Sequence, residues 1–296
     1  MQPLLKNPTA GYWAVDKLMF GYCAFAVALI VYAWDRLPQA PWLLAAHAAA
    51  VAIVIWEVKF PNPTSWFFRN WYPLPYVASC YKEMALLVPA VRRSDLDQWL
   101  ASVDHAFWHA HPTVWLERLQ TPVFTEFLQL IYTLFVPAVL LIPFLLWKKG
   151  RYHEFQYLAF LIALGYLASY VGYVLVPARG PRFLLRPFQH VPLQGLWLFH
   201  WMQGTLDRLE SAQYDCFPSG HTELTILAWW ASRMVSNRLF QVYFAYTLCI
   251  IFATVYLRYH YTVDLLAGAV LAFLLIRLAP VLYRRLSKGS VTLGGN

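Results

Sequence analysis

Residues 155–176 contain no Asp, Glu, Lys or Arg, and an apolar stretch of that length has few folded solutions. A helix of about 20 such residues crosses the hydrocarbon layer of a bilayer and satisfies its own peptide groups while doing so. Comparable runs recur at 18–34, 40–56, 123–147, 222–234, 240–256 and 261–282. Hydrophobic residues make up 60% of the chain and charged residues 13%, whereas soluble domains average about half and about a quarter. An ordinary soluble domain is thereby excluded. The expected fold class is all-α: a polytopic transmembrane helix bundle of six to seven spans with an interfacial helical cap. Fourteen Trp and nineteen Tyr suit an aromatic belt at the bilayer surfaces. The net charge of +8 lies at span ends and not in a basic stripe, so the partner it implies is anionic lipid and not nucleic acid.

Four parts follow from the pattern. Residues 1–56 hold the N-terminal transmembrane helices, with no cleavable signal pattern expected at their start. Residues 57–121 form an extracytoplasmic, interfacial cap. Residues 122–286 form the transmembrane core, and 287–296 a disordered tail. In the cap, Pro61, Pro63, Pro73 and Pro75 predict irregular backbone, followed by a short apolar or re-entrant helix over 76–91. Ser94 is placed to cap the next helix, with Asp95 and Asp97 in its first turn. That helix carries an apolar stripe through Leu96, Trp99, Leu100, Val103 and Phe107, as a surface helix would. With seven spans, Arg36, Lys148, Lys149, Arg151, Arg238, Arg284, Arg285 and Lys288 share one side, and the positive-inside rule makes it cytoplasmic. The C-terminus is then cytoplasmic, and the polar motifs collect on the extracytoplasmic side.

Those motifs lie in the last third. Pro218-Ser219-Gly220-His221 leads into an apolar run, and a Pro-Ser-Gly entry to a helix presents backbone N–H groups to an anion. Forty residues on, His260 and Asp264 are four apart, on one face of a helix. A carboxylate fixing one ring nitrogen of a histidine leaves the other free as base or nucleophile. Ionisable groups at a membrane edge are expensive and point to function. Together the motifs read as a phosphoryl-transfer site. Asp215 and Glu223 flank the Ser-Gly-His turn, placed either to tune His221 or to complement the helix dipole. Cys23, Cys80, Cys216 and Cys249 show no metal-ligand spacing, and a Cys80–Cys216 disulfide is left open. His105, His109 and His111 cluster beside Asp104, and the spacing of His105 and His109 permits a metal, but without a third placed carboxylate the wet face of a surface helix is the favoured reading.

At these residues the chain resembles the type 2 phosphatidic acid phosphatase (PAP2) superfamily of integral-membrane phosphatases and phosphotransferases. The family's Pro-Ser-Gly-His stretch stands unchanged at 218–221, and its His-x3-Asp at His260 and Asp264. Where the family has Arg six residues before the histidine, this chain has Thr254, and Arg258 stands two residues before it. For the Lys-x6-Arg-Pro stretch two assignments stand: Arg179 with Arg186-Pro187 at the family spacing, or Arg182 at the end of a span. The altered wording is similar to the branch containing inositol phosphorylceramide and sphingomyelin synthases.

The resemblance implies that His260 attacks phosphorus to form a phosphohistidine, that Asp264 orients it, and that His221 serves as acid and then base. It implies that Arg179, Arg182, Ser219, Gly220 and Arg258 hold the phosphate, with Arg186 and Thr254 as further candidates. No cofactor and no metal are implied, the arginines taking the role magnesium has in kinases. The implied substrate is a membrane lipid phosphate, and the acceptor is water or a lipid or polyol hydroxyl. Head-group transfer is the alternative to hydrolysis, and a non-catalytic lipid transporter is a third reading.

Overall fold

The computed structural model describes residues 11–209 and 213–288, and the expected tail, beyond Lys288, lies outside the described residues. The described residues form helices and no strand. The first two helices, α1 (Ala14–Tyr32) and α2 (Ala40–Lys59), are joined by a 3-10 turn at Trp34–Arg36. Then α3 (Pro63–Trp71) and α4 (Pro73–Val91) follow almost without a break. Irregular backbone was expected here, but the prolines sit at helix starts, where the missing N–H has no partner to lose. Asn62 completes the start of α3 by accepting from the amides of Thr64 and Ser65 at 2.9 and 3.1 Å.

Next come α5 (Asp97–Trp108), the short α6 (Pro112–Trp115), and the pair α7 (Pro122–Thr133) and α8 (Phe135–Lys148). The pair covers the run expected as one span and is bent by 43°. Pro137 explains the break, because its ring clashes with the carbonyl one turn earlier. The buried α9 (Tyr152–Leu175), the short α10 (Pro181–Leu184) and the amphipathic α11 (Phe199–Leu209) lead to α12 (Gly220–Ser232), α13 (Asn237–Tyr256) and α14 (Thr262–Ser287).

Among the described residues, five helices are long and apolar enough to cross a membrane, six with the bent pair, and the protein is a multi-pass membrane protein. Its centre is α9, apolar on every face, with Phe155, Leu158, Phe160, Leu161, Ile162 and Tyr170 fully buried. Such a helix belongs inside a bundle; α4, α8, α12 and α14 pack around it.

Contacts fix which helix ends meet. Lys17, at the start of α1, donates to the carbonyls of Leu286 and Lys288 at the end of α14. Trp71 packs on Trp147 and Phe155, at the α8–α9 turn. At the opposite end, Arg92 donates to the Leu175 carbonyl and the Leu96 amide to that of Pro177. Thus α4 runs from one end of the bundle to the other and is not a cap element; of the expected cap, only α5, α6 and the turn after them lie at the histidine end. The Trp34–Arg36 turn is correspondingly at the histidine end, not with the other basic loops as a seven-span count requires. Two buried polar clusters let these helices pack: His47 Nε2 with Glu83 at 2.9 Å, and Arg69 with Asp16, whose other oxygen accepts from the Tyr72 hydroxyl at 2.7 Å.

Candidate active site

The thirteen residues of α12 make a rod of roughly 20 Å, too short to fill the bundle's depth, so its start is sunk below the neighbouring helix ends. There the Ser219 carbonyl lies against Gly268, in the second turn of α14 and so near that a methyl group on Gly268 would stand 2.5 Å from the oxygen. The Ser219 amide donates to the Asp264 carbonyl at 3.1 Å. These contacts bring the Pro-Ser-Gly-His turn and the start of α14 together. Ser219 is the N-cap of α12, its hydroxyl accepting from Thr222 at 3.3 Å and its carbonyl from Glu223 at 3.0 Å. The Gly220 and His221 amides, in the first turn, have no such acceptor among the described residues, as expected at a helix N-terminus.

His260 is placed by the end of α13. The amides of Tyr259 and His260 both donate to the Thr254 carbonyl, at 2.9 and 3.2 Å, and Arg258 takes the left-handed conformation, φ +68°, that commonly ends a helix. Thr254 therefore serves the site through its carbonyl; its hydroxyl donates to Ile251 at 2.8 Å. His260 Nδ1 lies 2.8 Å from the Cys216 carbonyl and 3.5 Å from Asp264 Oδ2. Only the first is a hydrogen-bond distance for a ring N–H, so Nδ1 carries the proton and Nε2 keeps its lone pair. Asp264, expected to orient this ring, stands farther from Nδ1 than the Cys216 main chain, which holds it. Asp264 Oδ2 accepts instead from the Tyr261 amide and the Cys216 thiol, both at 2.8 Å. Burial, then the nearby carboxylate, push the Cys216 thiol up, so it stays protonated and donates.

His221 lies beside His260, ring centroids 5.7 Å apart. Its imidazole is held between Tyr132, stacked at 4.4 Å, and Phe135 at 4.3 Å. Tyr132 in turn stacks on Tyr259 at 4.3 Å, and the Arg182 guanidinium lies over the Tyr259 ring at 5.0 Å. An aromatic column thus leads from Arg182 to His221. Asp215 accepts from Tyr81 of α4 at 2.6 Å; burial raises its carboxyl, opposed by Tyr81, His260 and Arg182.

Other predicted residues fall outside this group or at its margin. Arg179 lies over Phe183 and donates to Gln213 at 3.2 Å, while its amide and that of Gly180 donate to Asp97 at 2.7 Å. Arg182 donates to Asp207 at 3.0 Å on its exposed side. Arg186 is exposed on the turn after α10. The Arg258 side chain turns away to a buried pair with Glu117 at 2.8 Å and a bond to Gln189 at 3.2 Å; it braces the loop. Ser94 does not cap α5, whose start lacks a side-chain cap. Asp97 has been drawn to Gly180 and to the Tyr261 hydroxyl, 2.9 Å away. Asp104, set beside His105 and His109 in the sequence, is occupied by Thr262 and Val263 at 2.7 to 3.0 Å. All four cysteines are free.

Sequence reading missed Cys216, Tyr81, Tyr132 and Tyr259. Only Cys216 and Tyr259 adjoin a motif; Tyr81 and Tyr132 carry no local signal. Cys216, His260 and Asp264 also form a set of metal-type donors that linear spacing hides.

A family model described as the PAP2 superfamily matches residues 98–278. No curated protein and no solved structure matches the chain. The family match covers more than half of the 296 residues and takes in both histidines, Asp264 and the arginine loop, so the chain belongs to the PAP2 superfamily.

Proposed function

We propose that this member of a phosphatase-type superfamily is an integral-membrane lipid phosphatase or phosphotransferase working through a phosphohistidine. The observation that carries the reading is the paired imidazoles: His260 with Nδ1 tied to a carbonyl and Nε2 free, and His221 clamped 5.7 Å away. His260 Nε2 attacks phosphorus as the bond to the leaving oxygen breaks, and protonated His221 gives that oxygen its proton. His221 then takes a proton from the acceptor, whose oxygen displaces His260 from phosphorus. Arg182, the Gly220 and His221 amides and, from the loop margin, Arg179 stabilise the phosphoryl oxygens. Asp264 stabilises the cationic ring.

A lipid substrate is supported by a groove of about 430 Å³ lined by Trp108, Trp115, Leu248, Phe252 and Leu265. It reaches Thr262, two residues from His260. Transfer of a phospho-head-group to a lipid hydroxyl, as in the inositol phosphorylceramide synthase branch, is the second reading. The cover formed by α5 over both site loops favours it, because a covered site disfavours water as acceptor. The site faces away from the cytoplasm in this proposal, since Lys17, Lys148, Lys149, Arg151, Arg284 and Arg285 gather at the opposite end.

The test uses purified protein with radiolabelled lipid phosphates, with and without diacylglycerol, ceramide or inositol as acceptor. His260→Ala and His221→Ala each abolish turnover in folded protein, and wild type quenched in mid-reaction carries an acid-labile, alkali-stable label. Near-normal turnover in either variant sinks the assignment. Inorganic phosphate release supports hydrolysis, and a new phospholipid supports transfer.

A further inference from the structure

We propose that Cys216, His260 and Asp264 form a binding site for a borderline-soft divalent cation, zinc above all, and that its occupancy switches the catalytic histidine off. The three side chains come from the loop before α12, the α13–α14 link and the first turn of α14. All are buried, at 2%, 4% and 0% exposure. Their donor atoms lie within 4.8 Å of one another. A tetrahedral ion with bonds of about 2.0–2.3 Å needs ligand atoms roughly 3.3–3.8 Å apart. Nδ1 to Oδ2 is 3.5 Å and Sγ to Nδ1 is 3.7 Å, so two edges already have that length. The third, Sγ to Oδ2, is 2.8 Å, a hydrogen bond that opens when the thiol proton leaves.

A second observation points to the same ligand. Asp264 Oδ1 is buried and has no hydrogen-bond partner, a costly state for a carboxylate oxygen. The measured edges involve Oδ2, and a cation held by both oxygens of the carboxylate would satisfy Oδ1 as well. Sulfur, imidazole and one carboxylate favour zinc over magnesium or calcium, which take oxygen ligands. Three protein ligands leave the fourth position to water or a phosphoryl oxygen.

The protons balance simply. Binding forms bonds from the metal to Sγ, Nδ1 and a carboxylate oxygen, and the thiol proton is released to solvent. The ring gives up its hydrogen bond to the Cys216 carbonyl and its proton moves from Nδ1 to Nε2, because a neutral imidazole metallated on one nitrogen carries its proton on the other. Nε2 then has no lone pair, and His260 cannot attack phosphorus. That consequence rests on the proposed function; the binding does not.

Cobalt(II) serves as the probe, titrated into the purified full chain in detergent. The expected result is one thiolate-to-cobalt charge-transfer band, with the intense visible bands of a tetrahedral ion. The band persists in the triple variant C23S/C80S/C249S and is lost in C216A. X-ray absorption of the zinc-loaded wild type needs no variant and should show one sulfur at about 2.3 Å with nitrogen or oxygen at about 2.0–2.1 Å. A band that survives in C216A, no band at all, or a zinc shell without sulfur overturns the site. The last is what the His105–His111 pair, with ring centroids 5.2 Å apart, would give. Zinc should also lower turnover at least tenfold, with recovery on chelation. Turnover undiminished with sulfur-bound zinc in place would leave the site standing and remove the role given to His260. No cobalt band in the wild type, with turnover still lost in H260A, would do the reverse.

Discussion

Gly268→Ala tests whether the site depends on the close approach of α14 to the Ser-Gly-His turn. A methyl group there would stand 2.5 Å from the Ser219 carbonyl oxygen and 3.3 Å from its carbon. A carbon–oxygen contact needs about 3.3 Å, so the two segments must separate by roughly 0.8 Å. The obstacle is backbone, in the N-cap residue of α12, and no rotamer change relieves it. Ser219 is bonded to Asp264 through its amide, so the separation falls between His221 and His260. Misplacement by about 1 Å can cost on the order of 10²-fold, and G268A should lower kcat roughly tenfold to a hundredfold with KM little changed. Overpacking should cost a further ~1–3 kcal/mol of stability. Gly21→Ala is the control, because Gly21 has nothing within 4 Å and gains helix propensity. The assay is phosphate release from a long-chain phosphate ester in detergent, beside a melting curve. Activity of G268A within twofold of wild type would refute the reasoning.

Three further outcomes follow from the same geometry. Glu117→Ala strands Arg258, whose side chain is 8% exposed and whose charge burial already disfavours; a loss of about 3–5 kcal/mol is expected in denaturant titration. Adding Arg258→Met should recover much of it, and a single-variant loss under ~1 kcal/mol contradicts the bracing role. Cys216→Ala removes the thiol donor to Asp264 but leaves the carbonyl that holds His260. A hydrogen bond to a charged group is worth about 1.5–3 kcal/mol, so kcat should drop about tenfold to a hundredfold, with most of it returned by Cys216→Ser; equal loss in both variants would mean that packing, not donation, matters. Asp215 has a folded-state carboxyl raised by burial, so the native chain holds that proton to higher pH than the unfolded chain. Its contribution to stability is therefore greatest at acid pH and lost as pH rises from the unfolded value through the folded one. Asp215→Asn should flatten that slope in melting temperatures measured against pH, and an unchanged slope would show that Asp215 does not set it.

What was legible in the chain is what depends on neighbours in sequence. The apolar runs reveal most of the bundle, and the spacing of His260 and Asp264 reveals their shared turn. The course of α4 was hidden because Lys82, Glu83 and its prolines lower its apolarity. Glu83 is tolerated through His47, 36 positions earlier, a pairing that no hydropathy window contains. The same holds for Arg258, whose charge reads as a phosphate ligand until Glu117, 141 residues away, is found against it. Ser94 is a good cap by type, yet Asp97 and the start of α5 answer to Gly180 and Tyr261. In each case a long-range polar partner outweighed a correct local preference.

The helix over the site shows why a long segment between the first spans and the core belongs to the function. Asp97 accepts from the amides of Arg179 and Gly180 and from the Tyr261 hydroxyl, and Asp104 from Thr262 and Val263. The two carboxylates lie seven residues apart, two turns on one face of α5. One grips the arginine loop, and the other grips the first turn of α14 that carries Asp264, where a negative charge also suits the helix dipole. Gly180, at φ +95°, completes the joint, since a side chain there would strike the Tyr259 carbonyl at 2.5 Å. The arginine loop and the start of α14 are thus held by the same helix, and any motion of α5 displaces both together. A cover that could lift independently of the chemistry would need its polar contacts elsewhere.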